Sequence, residues 1–380
     1  MSLLPPEKAS ILLIAEPLRP GGMAGYAEDL LTGLPALGVS PRMITPEAPS
    51  EGSFETGDED QLQVFPGLLN LWYRPFLKNK IVRWTRPWQP SLVHGLSAFT
   101  AKTCQQLAQI LKIPYVLSVQ HFQLKGALKP DAQCKRILAC GEAIRENLVN
   151  DARVAKELIK VVALGVQAPA ERDLGLRPFP DTSTEPRRML VSTFGPLTPN
   201  QDTATFLRAA KIVEQRMPHE AWFTVVGEGP EDAALFALAR QLGLDKQLVF
   251  AHAGVSRDRI LKDTDVYVQA ARQEGLGYAM LEAMSWARPV VASSVGGLIP
   301  LVREGETGFL TPPGNPEALA EKILLLLKQP ELRLRMGQAG RKLALEKHSR
   351  QRMIERTVEV YAAALGYNVS KSTSSMPVLS

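Results

Sequence analysis

Short runs rich in Val, Ile and Leu alternate with helix-like patterns along nearly the whole chain, and the alternation stops once and restarts. In the first half, ILLIAEP (11–17), PRMITP (41–46), SLVHG (91–95), PYVLSV (114–119) and RILAC (136–140) read as strands. Segments such as YAEDLLTGLPALG and FTAKTCQQLAQILK lie between them with a period near 3.6. DLGLRPFPDTSTEPRR (173–188), rich in Pro, Ser, Thr and charge, reads as a linker. The alternation then resumes with RMLVSTFG, AWFTVVGEG, QLVFAHAG, DVYVQA, RPVVAS and GFLTP. Strands alternating with helices demand a parallel sheet covered on both faces, and one interruption makes two such domains. The expected fold class is therefore α/β, two doubly wound Rossmann-like domains facing across a cleft, with ligands at the carboxyl ends of the strands.

A chain of 380 residues is long enough for two ordinary domains, and 45% hydrophobic with 22% charged residues is the balance of a globular protein. No apolar run is long enough to span a bilayer. MSLLPPEKASILLIAEP has no basic stretch ahead of its apolar run, which reads as a first strand rather than a signal peptide. Cys104, Cys134 and Cys140 have no metal-ligand spacing and suit reduced thiols, so the expected location is cytoplasmic. A net charge of +5 is compatible with anionic small molecules, a membrane surface or nucleic acid.

Glycine gathers at the strand exits. After the first strand, RPGGMAGYAEDLL offers Gly21, Gly22 and Gly25 for close backbone approach, with a helix whose free N–H groups suit anions or sugar hydroxyls; an ordinary strand-to-helix turn is the plain alternative. VVGEGPE sets Glu228 between Gly227 and Gly229, a pattern that a tight turn also explains. The sharpest stretch is ARQEGLGYAMLEAMSWARPVVASSVGG (271–297). Arg272, Gln273, Glu274, Gly275, Leu276 and Gly277 form the exit loop of DVYVQA, a helix begins near Tyr278, and Glu282 follows about a turn further on. Carboxylates that accept from paired hydroxyls, beside unpaired helix N–H groups for oxyanions, suit a polyol phosphate. Taken singly, Glu274 reads equally well as a cap and Glu282 as a solvated helix residue.

With these pieces in this order, the chain resembles the family 4 glycosyltransferases of the GT-B fold, the retaining nucleotide-sugar group, from about residue 11 to 365. The match takes in the Gly21-Gly22 loop, SLVHG, ACGEAIRENLV, ALGVQ, VGEGPE, EGLGYAMLEAMSWARPVVASSVGG and TGFLTPPGNPEALAEKI. The resemblance implies an acceptor side in residues 1–180, a nucleotide-sugar side in 187–350 and a helix over 351–366 crossing back to the first domain; the polar, Ser-rich composition of 367–380 reads as a disordered tail. It implies that Glu282 holds the ribose, that Glu274 faces the donor sugar, and that the N–H groups of Leu276, Gly277 and Tyr278 meet sugar or phosphate oxygens. Gly195, Gly227, Glu228, Arg272 and Gly275 join this donor site; Gly21, Gly22 and Lys125 form a loop set on the acceptor side. Transfer with retention needs no cofactor and no metal in this scheme, and no ligand cluster with metal spacing is present in the sequence.

The departures from the family pattern are specific. In FGPLTPNQDTATFL, Pro196 stands where the family has arginine and Gln201 where it has lysine, so two cations are missing from the leaving-group site. Gln120 falls at the family's N-domain histidine, with His121 next to it, and Pro300 replaces a common glutamate. Either other cations substitute, Arg272 and Lys125 being better placed than Arg187 or Arg188, or the chain keeps the binding shape as a non-catalytic sugar- or nucleotide-binding partner.

NLWYRPFLKNKIVRWTRPWQP (70–90) interleaves Trp72, Tyr73, Phe76, Trp84 and Trp88 with basic residues. That suits an anionic membrane surface, and with it peripheral attachment near a lipid-linked acceptor, or an amphipathic surface helix whose arginine stems cover aromatic rings. Nucleic acid is not expected, since no recognition motif accompanies the charge. An epimerase or phosphorylase on the same fold is a third reading, without the cofactor-binding lysine motif a phosphorylase needs. His94 and Cys140 read as core residues, and His252 lies near a strand exit where a base could bind.

Overall fold

A computed structural model describes residues 9–18, 22–49, 61–70, 74–175, 188–252 and 254–367. Gly21, Trp72, Tyr73, Arg187, most of the linker stretch and the tail from 368 lie outside the described residues. The strands are β1 Ala9–Ile14, β2 Val39–Thr45, β3 Leu62–Val64, β4 Leu92–Gly95, β5 Tyr115–Val119, β6 Cys134–Ala139, β7 Ile159–Val161, β8 Met189–Phe194, β9 Ala221–Val226, β10 Leu248–Ala251, β11 Val266–Gln269, β12 Val290–Ser293 and β13 Gly308–Thr311. The helices are α1 Gly22–Gly33, α2 Arg74–Thr85, α3 Ala101–Leu111, α4 Glu142–Asn150, α5 Thr203–Arg216, α6 Asp232–Gln241, α7 Arg257–Asp263, α8 Tyr278–Ser285, α9 Pro316–Lys328, α10 Pro330–His348 and α11 Arg350–Ala364.

The chain divides into two compact units, one holding residues up to Ala163 together with Arg350 onward, the other Leu164–Ser349. The first carries a seven-stranded sheet in the order β3-β2-β1-β4-β5-β6-β7, the second a six-stranded sheet in the order β10-β9-β8-β11-β12-β13. All pairings are parallel. Ile11, Leu12, Leu13 and Ile14 of β1 are all fully buried, the mark of a strand covered on both faces and the reason its sequence is a continuous apolar run. The strand order reverses between β1 and β4 in one sheet and between β8 and β11 in the other, and these are the points where such sheets bind ligands.

Every anticipated strand is present. β3 and β7 are added, three-residue edge strands (LQV and IKV) only partly buried, so no apolar run announces them. Two expectations shift. Helix α1 starts at Gly22, which puts Gly25 inside the helix rather than in the loop before it. Residues 164–174, assigned by sequence to the first domain, group with the second unit. Val166 N–H donates to His348 O (2.8 Å), Arg341 Nη2 to Pro169 O (2.9 Å), and Arg288 Nη2 to Leu174 O. The long C-terminal helical pattern breaks at Ser349, whose backbone is extended (ψ 147°), and α11 packs within the first unit.

A buried polar chain ties α11 to the first sheet. Tyr361 Oη lies 2.6 Å from His94 Nδ1, His94 Nε2 lies 2.8 Å from Ser118 Oγ, and Ser118 Oγ lies 2.8 Å from Tyr26 Oη. Both ring nitrogens of His94 are used, so this residue is a core histidine. Burial drives its pKa down from 6.5 to about 3. Unfolded, the imidazole protonates as pH falls through 6.5, while folded His94 stays neutral to about 3, so the unfolded form binds the extra proton across that window. We expect stability to be complete above pH 6.5 and to fall by up to ~1.4 kcal/mol per pH unit on acidification below it. Urea unfolding at pH 7 and pH 5 checks this: the His94→Gln chain should show a smaller difference between the two.

Helix α2 settles the inward side of its aromatic stretch. Trp84 packs edge-on to Phe65 (6.2 Å between centroids) and Trp88 (5.3 Å), and the Arg42 guanidinium lies 5.4 Å over Trp88. These two rings pack on the protein's own surface, Trp84 against Phe65 and Trp88, and Trp88 also under the Arg42 guanidinium. Lys80, Arg83 and Arg86 remain exposed. Among the described residues no helix is long and apolar enough to cross a membrane.

Candidate functional site

The second unit gathers its unusual chemistry at the β8/β11 reversal. The exits of neighbouring strands there touch backbone to backbone. A Cβ on Gly227, after β9, would lie 1.8 Å from Gly195 O, after β8. One on Gly297, after β12, would lie 2.2 Å from Gly275 O, after β11. Glycine at these positions lets the exit loops pack against one another, which builds the floor of the site.

On that floor runs a chain of polar side chains. Tyr267 Oη donates to Gln269 Oε1 (2.7 Å), Gln269 Nε2 to Gln201 Oε1 (2.6 Å), and Gln201 Nε2 to Glu274 Oε2 (3.0 Å). The other oxygen of Glu274 accepts from Gly275 N–H (2.9 Å) and, at 3.4 Å, from Leu276 N–H. The carboxylate thus faces the loop amides, and Gln201 holds it from the opposite side. Two further bonds join the loops: Arg272 N–H donates to Asn200 O (2.8 Å), and Gly297 N–H to Glu274 O (2.9 Å). Helix α8 begins beside this loop, with Gly277 as its left-handed N-cap (φ 79°) and Tyr278 as its first residue.

Two arginines stand at this edge. Arg272 Nε lies 3.1 Å from Asp202 Oδ2, and 61% of the Arg272 side chain is exposed, so a carboxylate anchors the guanidinium and leaves most of it open. Arg257, at the start of α7, was not anticipated. Its Nη1 lies 2.8 Å from Glu282 Oε2, with side-chain exposures of 20% and 22% for the two residues. Burial pushes the Glu282 carboxyl up from its ordinary range, and the charge and hydrogen bond of Arg257 oppose that rise. Burial works against the charge on Arg257, but Glu282, together with Tyr267 and Tyr278, outweighs it and the guanidinium is held above its usual range. Glu228 pairs with His252 (3.3 Å) at the neighbouring exits of β9 and β10. Pro300 is exposed in the 3-10 turn Gly296–Leu301.

In the first unit, buried Gln120 follows β5 and donates through Nε2 to Leu96 O (2.8 Å), while His121 is exposed. Burial raises the carboxyl of Glu16, after β1, and His121 opposes that rise. Glu16 is a second residue the sequence did not single out. Lys125 is exposed in the loop after β5, and Gly22 opens α1. Cys140, Cys104 and Cys134 are buried and unbridged. Among the described residues, no group of three or more His, Cys, Asp or Glu side chains could hold a metal ion.

Residues 180–343 match the family described as glycosyl transferases group 1, and residues 20–168 match glycosyltransferase family 4. The chain belongs to the family 4 glycosyltransferases. Among curated relatives of this family, N-acetyl-alpha-D-glucosaminyl L-malate synthase of Bacillus anthracis is 27% identical over 152 residues, 40% of this chain and 39% of that protein. Sulfoquinovosyl transferase SQD2 of Arabidopsis thaliana is 28% identical over 326 residues, 79% of this chain and 61% of that protein. The chain thus spans less than two thirds of the length of these relatives. Among solved structures, Anabaena Alr3699/HepE in complex with UDP-glucose gives a TM-score of 0.75 at 19% identity, covering 93% of this chain and 99% of that one. Sucrose-phosphate synthase of Thermosynechococcus elongatus gives 0.72 at 18%, covering 94% and 99%. At these identities the likeness establishes the fold, and the fold of this family 4 member is GT-B: two parallel-sheet, Rossmann-like domains.

Proposed function

We propose that the chain is a retaining glycosyltransferase that moves a sugar from a nucleoside diphosphate to an acceptor hydroxyl. The observation that carries this reading is the arrangement at the β8/β11 reversal. Glu274 is fixed by Gln201 and loop amides, α8 starts beside it, and Glu282 sits on the same helix against Arg257. UDP-glucose and UDP are bound by solved proteins of this fold, which supports a nucleotide-sugar donor here.

In this reading Glu282 accepts from the ribose hydroxyls, Glu274 accepts from hydroxyls of the donor sugar, and the start of α8 faces the diphosphate. The bond between the anomeric carbon and the phosphate oxygen breaks as the acceptor oxygen bonds the same face of that carbon. The acceptor proton passes to the departing phosphate oxygen. Acceleration comes from placing the two substrates and from stabilising charge on the leaving group. A half-buried Glu16, close to His121 and Ser97, gives the first unit a polar acceptor suited to a hydroxyl-bearing substrate.

The missing family cations are the reason to weigh a non-catalytic binding role. Transfer is favoured because Arg272 presents a largely open guanidinium on the loop that carries Glu274. Arg272→Ala should lower kcat/KM for the donor by about 100-fold, the scale of losing one charge-stabilising contact. Steady-state assays that vary the donor measure this, and wild-type kinetics in the variant would rule out Arg272 as the substitute cation. The basic, exposed residues of α2 are compatible with a peripheral membrane position near a lipid-linked acceptor; flotation with anionic vesicles tests that separately.

A further inference from the structure

The proposed chemistry assigns no role to Arg257, yet a mostly buried arginine needs a reason. It opens α7, outside every motif that marks the donor site in the sequence. Its guanidinium is enclosed from two directions. Glu282 Oε2 lies 2.8 Å from Nη1, and the Phe194 ring centre lies 5.9 Å from the guanidinium carbon. Phe194 is itself fixed edge-on by Tyr267, with 5.5 Å between ring centres, so one wall of the box is rigid. Arg257 engages only one oxygen of Glu282. Among the described residues Oε1 accepts no hydrogen bond, and 22% of the Glu282 side chain is exposed.

We infer that Arg257 is a positioning residue that holds the Glu282 carboxylate by one oxygen, leaving the other aimed at a vicinal diol and so making the site selective for ribonucleotides over 2′-deoxyribonucleotides. This rests on the nucleotide-sugar reading above. A carboxylate on an unsupported helix position would sample several rotamers and spend binding energy on being ordered. Pinned by a planar guanidinium that an aromatic ring backs, it presents one geometry, and a ligand lacking the 2′-hydroxyl gives its free oxygen one hydrogen bond where the vicinal diol gives two. Without Arg257, burial and nearby Asp258 both favour the neutral acid, a poorer acceptor for two hydroxyls.

The test is titration calorimetry on the full chain. UDP, GDP and ADP are compared first, and the tightest is then compared with its 2′-deoxy counterpart. The wild type should prefer the ribonucleotide by about tenfold, the scale of one hydrogen bond to a charged group. In Arg257→Met the ribonucleotide should weaken to the level of the deoxynucleotide, whose own affinity stays within about twofold. Arg257→Lys should recover part of the preference. An unchanged preference in Arg257→Met overturns the proposal, and so does an equal loss for both nucleotides, which would place the arginine on the phosphates or in the fold alone. If the wild type binds no nucleoside diphosphate, the nucleotide reading itself fails, and this inference with it. Should Arg257→Met not fold, Arg257→Gln carries the same comparison with a polar side chain of similar reach.

Discussion

Gly227→Ala should fail to give a stably folded second unit. The added Cβ would lie 1.8 Å from Gly195 O, and its neighbour in that contact is backbone, with no side chain able to swing aside. Either the β8 exit or the β9 exit must move, and the two are joined by the hydrogen bond from Gly195 N–H to Val226 O (3.0 Å). Overpacking of a well-packed interior costs ~1–3 kcal/mol where side chains can shift, and a backbone collision exceeds that. Against a whole-domain stability of ~5–15 kcal/mol, the loss is enough to lower the midpoint of denaturant unfolding sharply. Gly254→Ala is the matched control, because a Cβ there meets no atom within 4 Å. Equal midpoints for the two variants would show that the exit loops do not pack as described.

Ending the chain at Ser349 should unfold the first unit while leaving the second folded. Helix α11 lies at the far end of the sequence, yet Met353, Ile354, Val358 and Tyr361 are each no more than 2% exposed within the first unit. Burying a large apolar side chain is worth ~1.5–3 kcal/mol, so four of them match the net stability of a domain. Ile354 Cδ1 would lie 2.2 Å from a Cβ on Gly33, which shows how closely α11 approaches the end of α1, and Arg350 pairs with Asp29. Truncation also strips His94 of its Tyr361 partner. Hydrogen exchange read by mass spectrometry distinguishes the units: amides of β1, β4 and β5 should lose protection, and those of β8, β11 and β12 should keep it. Retained protection in β1 would contradict the account. Tyr361→Phe isolates the polar contribution and should cost ~1–3 kcal/mol, since His94 Nδ1 is left buried and unpaired.

The inner strands β8, β9, β11 and β12 of the second sheet were legible in the sequence because they are mostly buried on both faces and rich in Val, Leu, Phe and Ala, with only a few Ser, Thr and Gln among them. Edge strands β3 and β7 were not, since three partly buried residues leave no pattern to detect. Glu274, Glu282 and the glycines were found by their spacing, but part of the glycines' purpose was not. Gly227 and Gly297 admit neighbouring backbone, and a sequence shows which residue is small without showing what approaches it. Gln201 read only as a missing lysine, whereas it joins Gln269 to Glu274 across a sequence distance that no local pattern spans. Arg257 was invisible for the same reason: an arginine in SRDRI looks like solvated helix surface until Glu282, 25 residues on, is folded against it.

The reading as a nucleotide-sugar enzyme is tested most directly by ligand-induced thermal stabilisation of the full chain. UDP, GDP, ADP, their sugars and free monosaccharide phosphates are compared, with Glu282→Ala alongside. A ligand at 100 times its Kd adds ~2.7 kcal/mol, enough to raise the midpoint of the unit that binds it by a few degrees. One nucleoside diphosphate series should produce that rise in the wild type and none in Glu282→Ala, each measured against its own unliganded midpoint. A folded wild-type chain that no member of the panel stabilises would contradict the account.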